Sequence, residues 1–531
     1  MTRIESVSLL RFDLLRTHIL SYRSRLILGL RVGNPGGPCQ RFLAVAGRAK
    51  SRSVQRGKKE NGEDMVTTRR EPQKKGKSAA APAKIAGPVN TDELLAKAKV
   101  PGQHAMRLHP FYRGKIETVP KCVVRDFSDF AIWYTPGVAE PCKAIKADPK
   151  QVWEHTNKGN TVAVVTDGTR VLGLGDIGPE AGMPVMEGKS LLFKYLGGVD
   201  SFPICLDTKN PDEIIQAVKW LQPSFGGINL EDISQPKCFY VLDRLRKEAR
   251  IPVWHDDQQG TATVVVAGAI NAVKCVGKKI NEVKVAMIGA GASNIAGLRV
   301  MIAAGFNPKN IVMTDSKAIL TTSRKELQQD FKEKWWAAQI TNGEGIEGGV
   351  AEAMKGADLT IAASKPGPGT IKPEWVKAMA SDAIVFPIAN PVPEIWPWEA
   401  HEAGARIVAT GRSDFPNQVN NSLGFPGIFR GVLDVRASMI TDEMCIAAAK
   451  ELAKTAEDKG LREDYIVPTM DEWEVYPREA TAVALKAIEQ GVAGVKRSRQ
   501  EIYEQAEKMI RRARQEAKYL MDGKFIPSAP Q

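Results

Sequence analysis

Two carboxylates stand side by side in "IPVWHDDQQGTATVVVAGAI", residues 251–270, where an apolar strand meets an apolar helix. Charge at such a seam is costly unless something pairs with Asp256 and Asp257. A second acidic pair, Glu231 and Asp232, ends the apolar run of "INLEDIS". Lys189 in "MEGKSLLF" stands near a helix start, and Arg170 lies in "TDGTRVLGLGD". A lone acid at a strand end is usually a helix cap. Several acids at the carboxyl edge of one sheet are different, because ligands of open α/β sheets bind at that edge. Carboxylates without accompanying Cys or His suit a hard cation, Mg²⁺ or Mn²⁺. Adjacent residues of an extended strand point to opposite sides. Asp257 is therefore expected to face an ion while Asp256 faces elsewhere, with Asp257 also free to cap the following helix. By the same rule Glu231 and Asp232 can share an ion only if the chain leaves extended geometry there. His255 reads as a packed neighbour, with metal ligation the second choice.

A different chemistry opens in "VKVAMIGAGASNIAGLRVMIAAGF". Gly289 permits a tight turn after a strand, and Gly291 lets the backbone approach a pyrophosphate seated at a helix N-terminus. Asn294 replaces the third glycine of the pattern, which predicts looser packing of helix on strand. Asp315 ends the next strand, "NIVMTDS". A carboxylate there accepts from the ribose 2′-hydroxyl of NAD and repels a 2′-phosphate, whereas Ser316 and Lys317 would serve a phosphate. NAD is preferred, with NADP as the alternative.

These groups need a parallel sheet to position them. Apolar runs "TVAVVTDG", "FPICLDT" and "RIPVW" alternate with helical text such as "PDEIIQAVKWLQP", the pattern of an α/β unit. "ADLTIAAS", "AIVFPIAN" and "ARIVAT" continue the second unit. We expect an N-terminal α/β substrate and metal domain over 91–275 and a doubly wound, parallel-sheet (Rossmann-type) NAD-binding domain over 276–440. A helical segment over 441–531 follows, whose last charged helix packs on the body rather than forming a coiled coil.

The chain has 531 residues, 43% hydrophobic and 25% charged, with a net charge of +13. Residues 1–90 hold 19 Lys+Arg against 6 Asp+Glu, so the rest is neutral. The basic stretch is expected to be a disordered arm or a mis-annotated extension. "NGEDM" can be encoded by a run resembling a bacterial ribosome-binding site, so translation is expected to start at Met65. A transit peptide, or a nucleic-acid-binding arm, is the rival reading of the same residues. No apolar run approaches the ~18 residues of a membrane span. The seven cysteines, with no C-x-x-C, read as reduced core thiols of a cytoplasmic protein.

Several blocks carry a family resemblance. "IWYTPGVAEPCKAI", "RVLGLGDIGPEAGMPVMEGKSLLFKYLGGVDSFPICLDT", "INLEDISQPKCF", "VWHDDQQGTATVVVAG", "GAGASNIA" and "ATGRSDFPNQVNNSLGFPGIFRGVLDVRA" resemble malic enzymes of the short bacterial type, over about residues 100–495. The resemblance implies that Glu231, Asp232 and Asp257 bind the divalent metal. It makes Lys189 the general base, Tyr134 the general acid and Asp256 the partner of Lys189. Arg170 would clamp a malate carboxylate, Asn390 and Asn421 would touch substrate and nicotinamide, and the turn Gly289, Ala290, Gly291, Ala292, Ser293 would hold the pyrophosphate. Lys189 accepts a proton only when neutral, so metal and Arg170 are expected to lower its pKa. The implied reaction is oxidative decarboxylation of (S)-malate to pyruvate and CO₂ with NAD, by a homodimer. Rivals are malolactic conversion on retained NAD and an inactive nucleotide-binding regulator.

Overall fold

The computed structural model describes residues 91–530. The expectations placed on residues 1–90, including the start at Met65 and the basic arm, lie outside the described residues.

Two parallel sheets organise the chain. The first runs β2-β1-β3-β4, with β1 Thr161–Thr166, β2 Asp200–Cys205, β3 Gly227–Leu230 and β4 Val253–His255. The second runs β6-β5-β7-β8-β9, with β5 Val285–Ile288, β6 Ile311–Thr314, β7 Leu359–Ala362, β8 Ile384–Pro387 and β9 Ile407–Val408. Every residue of β1, β3 and β5 is buried, as expected for parallel strands covered on both faces. Chain order reverses direction beside β1 in the first sheet and beside β5 in the second, and clefts open at such switch points.

The helices between strands start and stop where their sequences dictate. Helix Pro179–Gly197, which carries Lys189, has proline at its start and ends on Gly198 at φ 63°. Helix Pro211–Leu221 is capped by the Asn210 side chain. Helix Ala292–Ala304 begins at the glycine turn and ends on Gly305 at φ 107°. Asn294 corrects the loose-packing expectation. It is buried and donates to the carbonyls of Ile288 and Gly289 at 3.1 and 2.7 Å, tying helix to strand where a glycine would only make room.

One apolar core runs from Ala163 and Ile228 of the first sheet through Val264 to Val285 and Ile361 of the second. A separate cluster joins Val162 and Val164 of β1 to Phe193, Trp254, Phe425, Phe429, Met444 and Ile502. Helix Phe425–Asp434, read from sequence as part of the 276–440 unit, thus packs beside β1. Helices Asp442–Lys459, Val475–Glu489 and Arg499–Asp522 cover the same region. The last starts with a Ser498–Glu501 capping box and buries Ile502, Ala506, Ile510 and Ala513, a packing stripe as expected. Not all cysteines are core residues: Cys238 and Cys445 are buried, but Cys122 and Cys142 are exposed, and all six described cysteines are free. No helix among the described residues is long and apolar enough to cross a membrane.

Candidate active site

A cleft of about 280 Å³ lies between the two sheets. Arg170, Lys189, Glu231, Asp232 and Asp257 line one wall; Gly291, Ala292, Ser293, Ser364, Asn390, Asn420 and Asn421 line the other.

Glu231, Asp232 and Asp257 each offer an oxygen within 4.8 Å of the other two. Two local distortions bring them together. Asp232 takes a left-handed backbone, φ 54°, so the chain leaves strand geometry immediately after Glu231, as the shared-ligand reading required. After β4, Asp256–Gly260 forms a single wide helical turn leading into helix Thr261–Cys275. Asp256 and Asp257 therefore diverge around a helical turn, not across an extended strand as expected. Asp257 does not cap the helix; its Oδ2 accepts from the Asp232 N–H at 2.8 Å, locking the two acidic segments together. Asp232 Oδ2 is buried with no hydrogen-bond partner. Burial, then the crowding of like charge, pushes Glu231 and Asp232 well above the usual carboxylate range, and burial raises Asp257 too. An orphaned buried oxygen among three crowded carboxylates fits a divalent cation, and an all-oxygen donor set fits Mg²⁺ or Mn²⁺.

Asp256 faces away from this trio. Its Oδ2 accepts from Lys189 Nζ at 2.5 Å and its Oδ1 from the Trp254 indole at 3.1 Å. Lys189 also pairs with Glu231 at 3.1 Å and lies 4.5 Å from the centroid of the Phe425 ring. Burial by itself would lower the Lys189 pKa; Asp256 and Glu231 override it and hold the ammonium protonated. These carboxylates oppose the lowering expected from a bound cation and Arg170. His255 is fully buried and its ring nitrogens have no hydrogen-bond partner; burial lowers its pKa to about 4, so it is a neutral packed neighbour 3.7 Å from Asp257.

On the opposite wall Gly289, at φ 95°, brings the turn so close to the next loop that a Cβ would stand 2.6 Å from the Ala363 carbonyl oxygen. A Cβ on Gly291 would meet nothing within 4 Å, leaving open space above the helix start where a pyrophosphate fits. Asp315 departs from the expectation of a carboxylate free for ribose. Its two oxygens take Arg324 Nη1 and Nη2 at 2.9 and 3.0 Å, Lys334 at 3.3 Å and the Lys317 and Ala318 N–H groups. Burial opposes ionisation, but these donors prevail and hold its pKa far below the usual range.

Tyr134 is not brought to the cleft. Its side chain is 72% exposed and it is absent from the lining, amid exposed Phe127, Phe130, Ile132 and Trp133. Sequence reasoning also missed Asn229, which donates to Glu231 Oε2 at 2.8 Å from two residues upstream, and the Ser364–Glu394 pair described below. The two-residue spacing of a strand face was the available sign for Asn229.

The family model "Malic enzyme, N-terminal domain" matches residues 113–246, and "Malic enzyme, NAD binding domain" matches residues 258–490. The chain belongs to the malic enzyme family. Among curated malic enzymes, a bifunctional malic/malolactic enzyme of Bacillus subtilis is 49% identical over 77% of this chain and 98% of its own length. An NAD-dependent malic enzyme of Geobacillus stearothermophilus is 50% identical over 72% of this chain and 78% of its own. The crystal structure of the Entamoeba histolytica malic enzyme superposes with a TM-score of 0.82 at 50% identity, covering 83% of this chain and 93% of that one. NADP-dependent malic enzymes, such as that of Halomonas elongata at 42% identity over 71% of this chain and 90% of its own, are similar as well.

Proposed function

We propose that this protein is an NAD-preferring, divalent-metal-dependent malic enzyme, converting (S)-malate to pyruvate and CO₂ with reduction of NAD. The observation that carries the reading is the placement of Lys189 against Asp256 and the Glu231–Asp232–Asp257 trio, facing a glycine turn across one cleft. Glu231, Asp232 and Asp257 hold the ion. When bound, the ion supplies a Lewis acid at the malate C2 oxygen, and NAD supplies an acceptor for the C2 hydride.

The chain's own groups do the rest. Arg170 stands on the cleft wall where it can pair with a malate carboxylate. Asn390 and Asn421 orient substrate and nicotinamide from the other wall. Lys189 takes the C2 hydroxyl proton in its neutral form, with Asp256 orienting the amine at 2.5 Å. Tyr134 donates to C3 after CO₂ departs. Asn229 and the Trp254 indole fix the oxygens of Glu231 and Asp256 that are not otherwise engaged.

Tyr134 needs a route to the cleft, and a second copy of the chain supplies one. The enzyme acts as a homodimer in which the exposed 127–134 stretch of one copy packs on the other and delivers its tyrosine there. Apolar side chains clustered in the open support this. The buried free thiols of Cys238 and Cys445 suit the reducing cytoplasm.

The test is a coupled product assay with purified protein, malate, NAD and Mn²⁺. Free NADH and pyruvate formed in equal amounts are expected. Lactate without free NADH would replace this reading with malolactic conversion, and neither product would refute both.

A further inference from the structure

Glu394 lies outside the lining of the cleft and has no role in the steps above, yet it is fully buried. Its Oε1 accepts from the Ser364 backbone N–H at 2.8 Å and from the Ser364 hydroxyl at 3.1 Å. Its Oε2 accepts from the Ala389 N–H at 3.0 Å, and its own carbonyl accepts from the Ile371 N–H at 3.1 Å. One side chain thus joins the loop after β7 to the loop after β8. The two loops bear on both halves of the cleft. Ala363 and Ser364 are the neighbours that a Cβ on Gly289 would strike, at 2.6 and 3.1 Å. Asn390, next to Ala389, is the neighbour that a Cβ on Gly411 or Gly173 would strike, at 2.5 and 2.6 Å. Gly173 belongs to the 170–175 segment that also carries Arg170. The dinucleotide turn, the Asn390 loop and the Arg170 loop therefore meet around the two strand ends that Glu394 ties together.

We propose that Glu394 is a positioning residue of the reaction: its ionised carboxylate, by gripping the Ser364 and Ala389 N–H groups at once, sets Asn390 and the glycine turn in register with Arg170. The inference rests on the malic enzyme reading of the cleft. A carboxylate is the only side chain that offers two acceptor oxygens and no competing hydrogen. Protonation turns one of them into a donor, facing an N–H that then has no partner in a buried place. Burial raises the Glu394 pKa to about 7, partly offset by these same hydrogen bonds.

Hydrogen bonds from Ser364 and Ala389 partly offset that burial. Lys365 and Lys372 on the adjoining loop are exposed. Arg412 pairs with Asp414 and the Pro391 carbonyl, and Glu399 is taken by the Trp396 N–H. Above pH about 7 the carboxylate bridges both loops; below it the bridge loses one arm.

Glu394→Gln keeps the size and one acceptor, and Ser364→Ala removes only the hydroxyl contact. Two readouts are combined. The first is hydrogen exchange of peptides covering 363–366 and 388–391, corrected for the intrinsic pH dependence and measured without substrate. The second is the pH profile of kcat/KM for malate. We expect Glu394→Gln to lose protection in both peptides and to lower kcat/KM about tenfold at pH 8. The acid limb near pH 7 should vanish in that variant and persist in Ser364→Ala. Wild-type protection in Glu394→Gln, or an unchanged acid limb in that variant, would overturn the proposal. Were the wild type unable to oxidise malate while the exchange result held, the reading of the reaction would fall and the loop bridge would stand.

Discussion

If Tyr134 serves the site of the partner chain, two inactive variants will repair each other. Tyr134→Phe lacks the proton donor and Lys189→Ala lacks the base, so each alone is expected to form no pyruvate from malate. Tyr134 lies away from its own cleft while Lys189 is buried within it. On the proposed dimer each site draws its base from one chain and its acid from the other. Equal amounts of the two variants assembled at random give about half mixed dimers. A mixed dimer has one site with both defects and one with neither. Overall rate should then recover to about a quarter of that of the wild type. The assay is pyruvate formation from malate after co-expression of differently tagged chains, with mixed dimers isolated on both tags to raise the expected recovery to about half. If both residues of a site came from one chain, every site in a mixed dimer would carry a defect. Mixed dimers no more active than the separate variants would refute the argument.

Three further outcomes follow from the geometry. Asp257→Asn removes one charge from the trio and loosens the Asp232 anchor; Mn²⁺ binding weaker by about tenfold or more is expected, seen as a shift of the metal titration to higher Mn²⁺, and an unchanged titration would deny Asp257 its ligand role. Gly431→Ala would place a Cβ 2.2 Å from the Ala480 backbone oxygen, between helices Phe425–Asp434 and Val475–Glu489. It should cost roughly 1–3 kcal/mol, visible as a lowered Tm, and it should lower activity as well because the same helix carries Phe425 onto Lys189. Arg324→Ala removes the main partner of Asp315. Because that carboxyl is held below its unfolded pKa, the lost stability is full at pH 7 and fades as pH falls through and below about 4, the ordinary range for aspartate. Urea unfolding of both proteins at pH 7 and at low pH checks the sign.

The candidate site residues were legible early because their types are rare in apolar text. Lys189, Glu231, Asp232, Asp256 and Asp257 all break hydrophobic runs at strand or helix ends, and all five converge. The sheets were legible for the same reason: wholly apolar strands alternating with amphipathic helices admit few other folds. Asp315 misled because strand-end position predicts where a carboxylate lies and not what already occupies it. Arg324 and Lys334, its partners, are nine and nineteen residues further along. Glu394 was invisible because an acid after "ANPVP" looks like any surface loop residue until the fold buries it.

By itself, the order of residues determined the two parallel sheets, the glycine turn and the set of acids, since these depend on local periodicity and on the expense of burying charge. Tertiary structure alone decided three things. It turned Asp256 towards Lys189 and Asp257 towards Asp232 through a helical turn that no alternation rule describes. It set two carboxylates against Lys189, so that electrostatics outweigh desolvation and the amine stays charged. It left Tyr134 in the open. Each of these depends on distances between segments remote in sequence, and pairwise forces that fall off with distance are fixed only once the chain has closed.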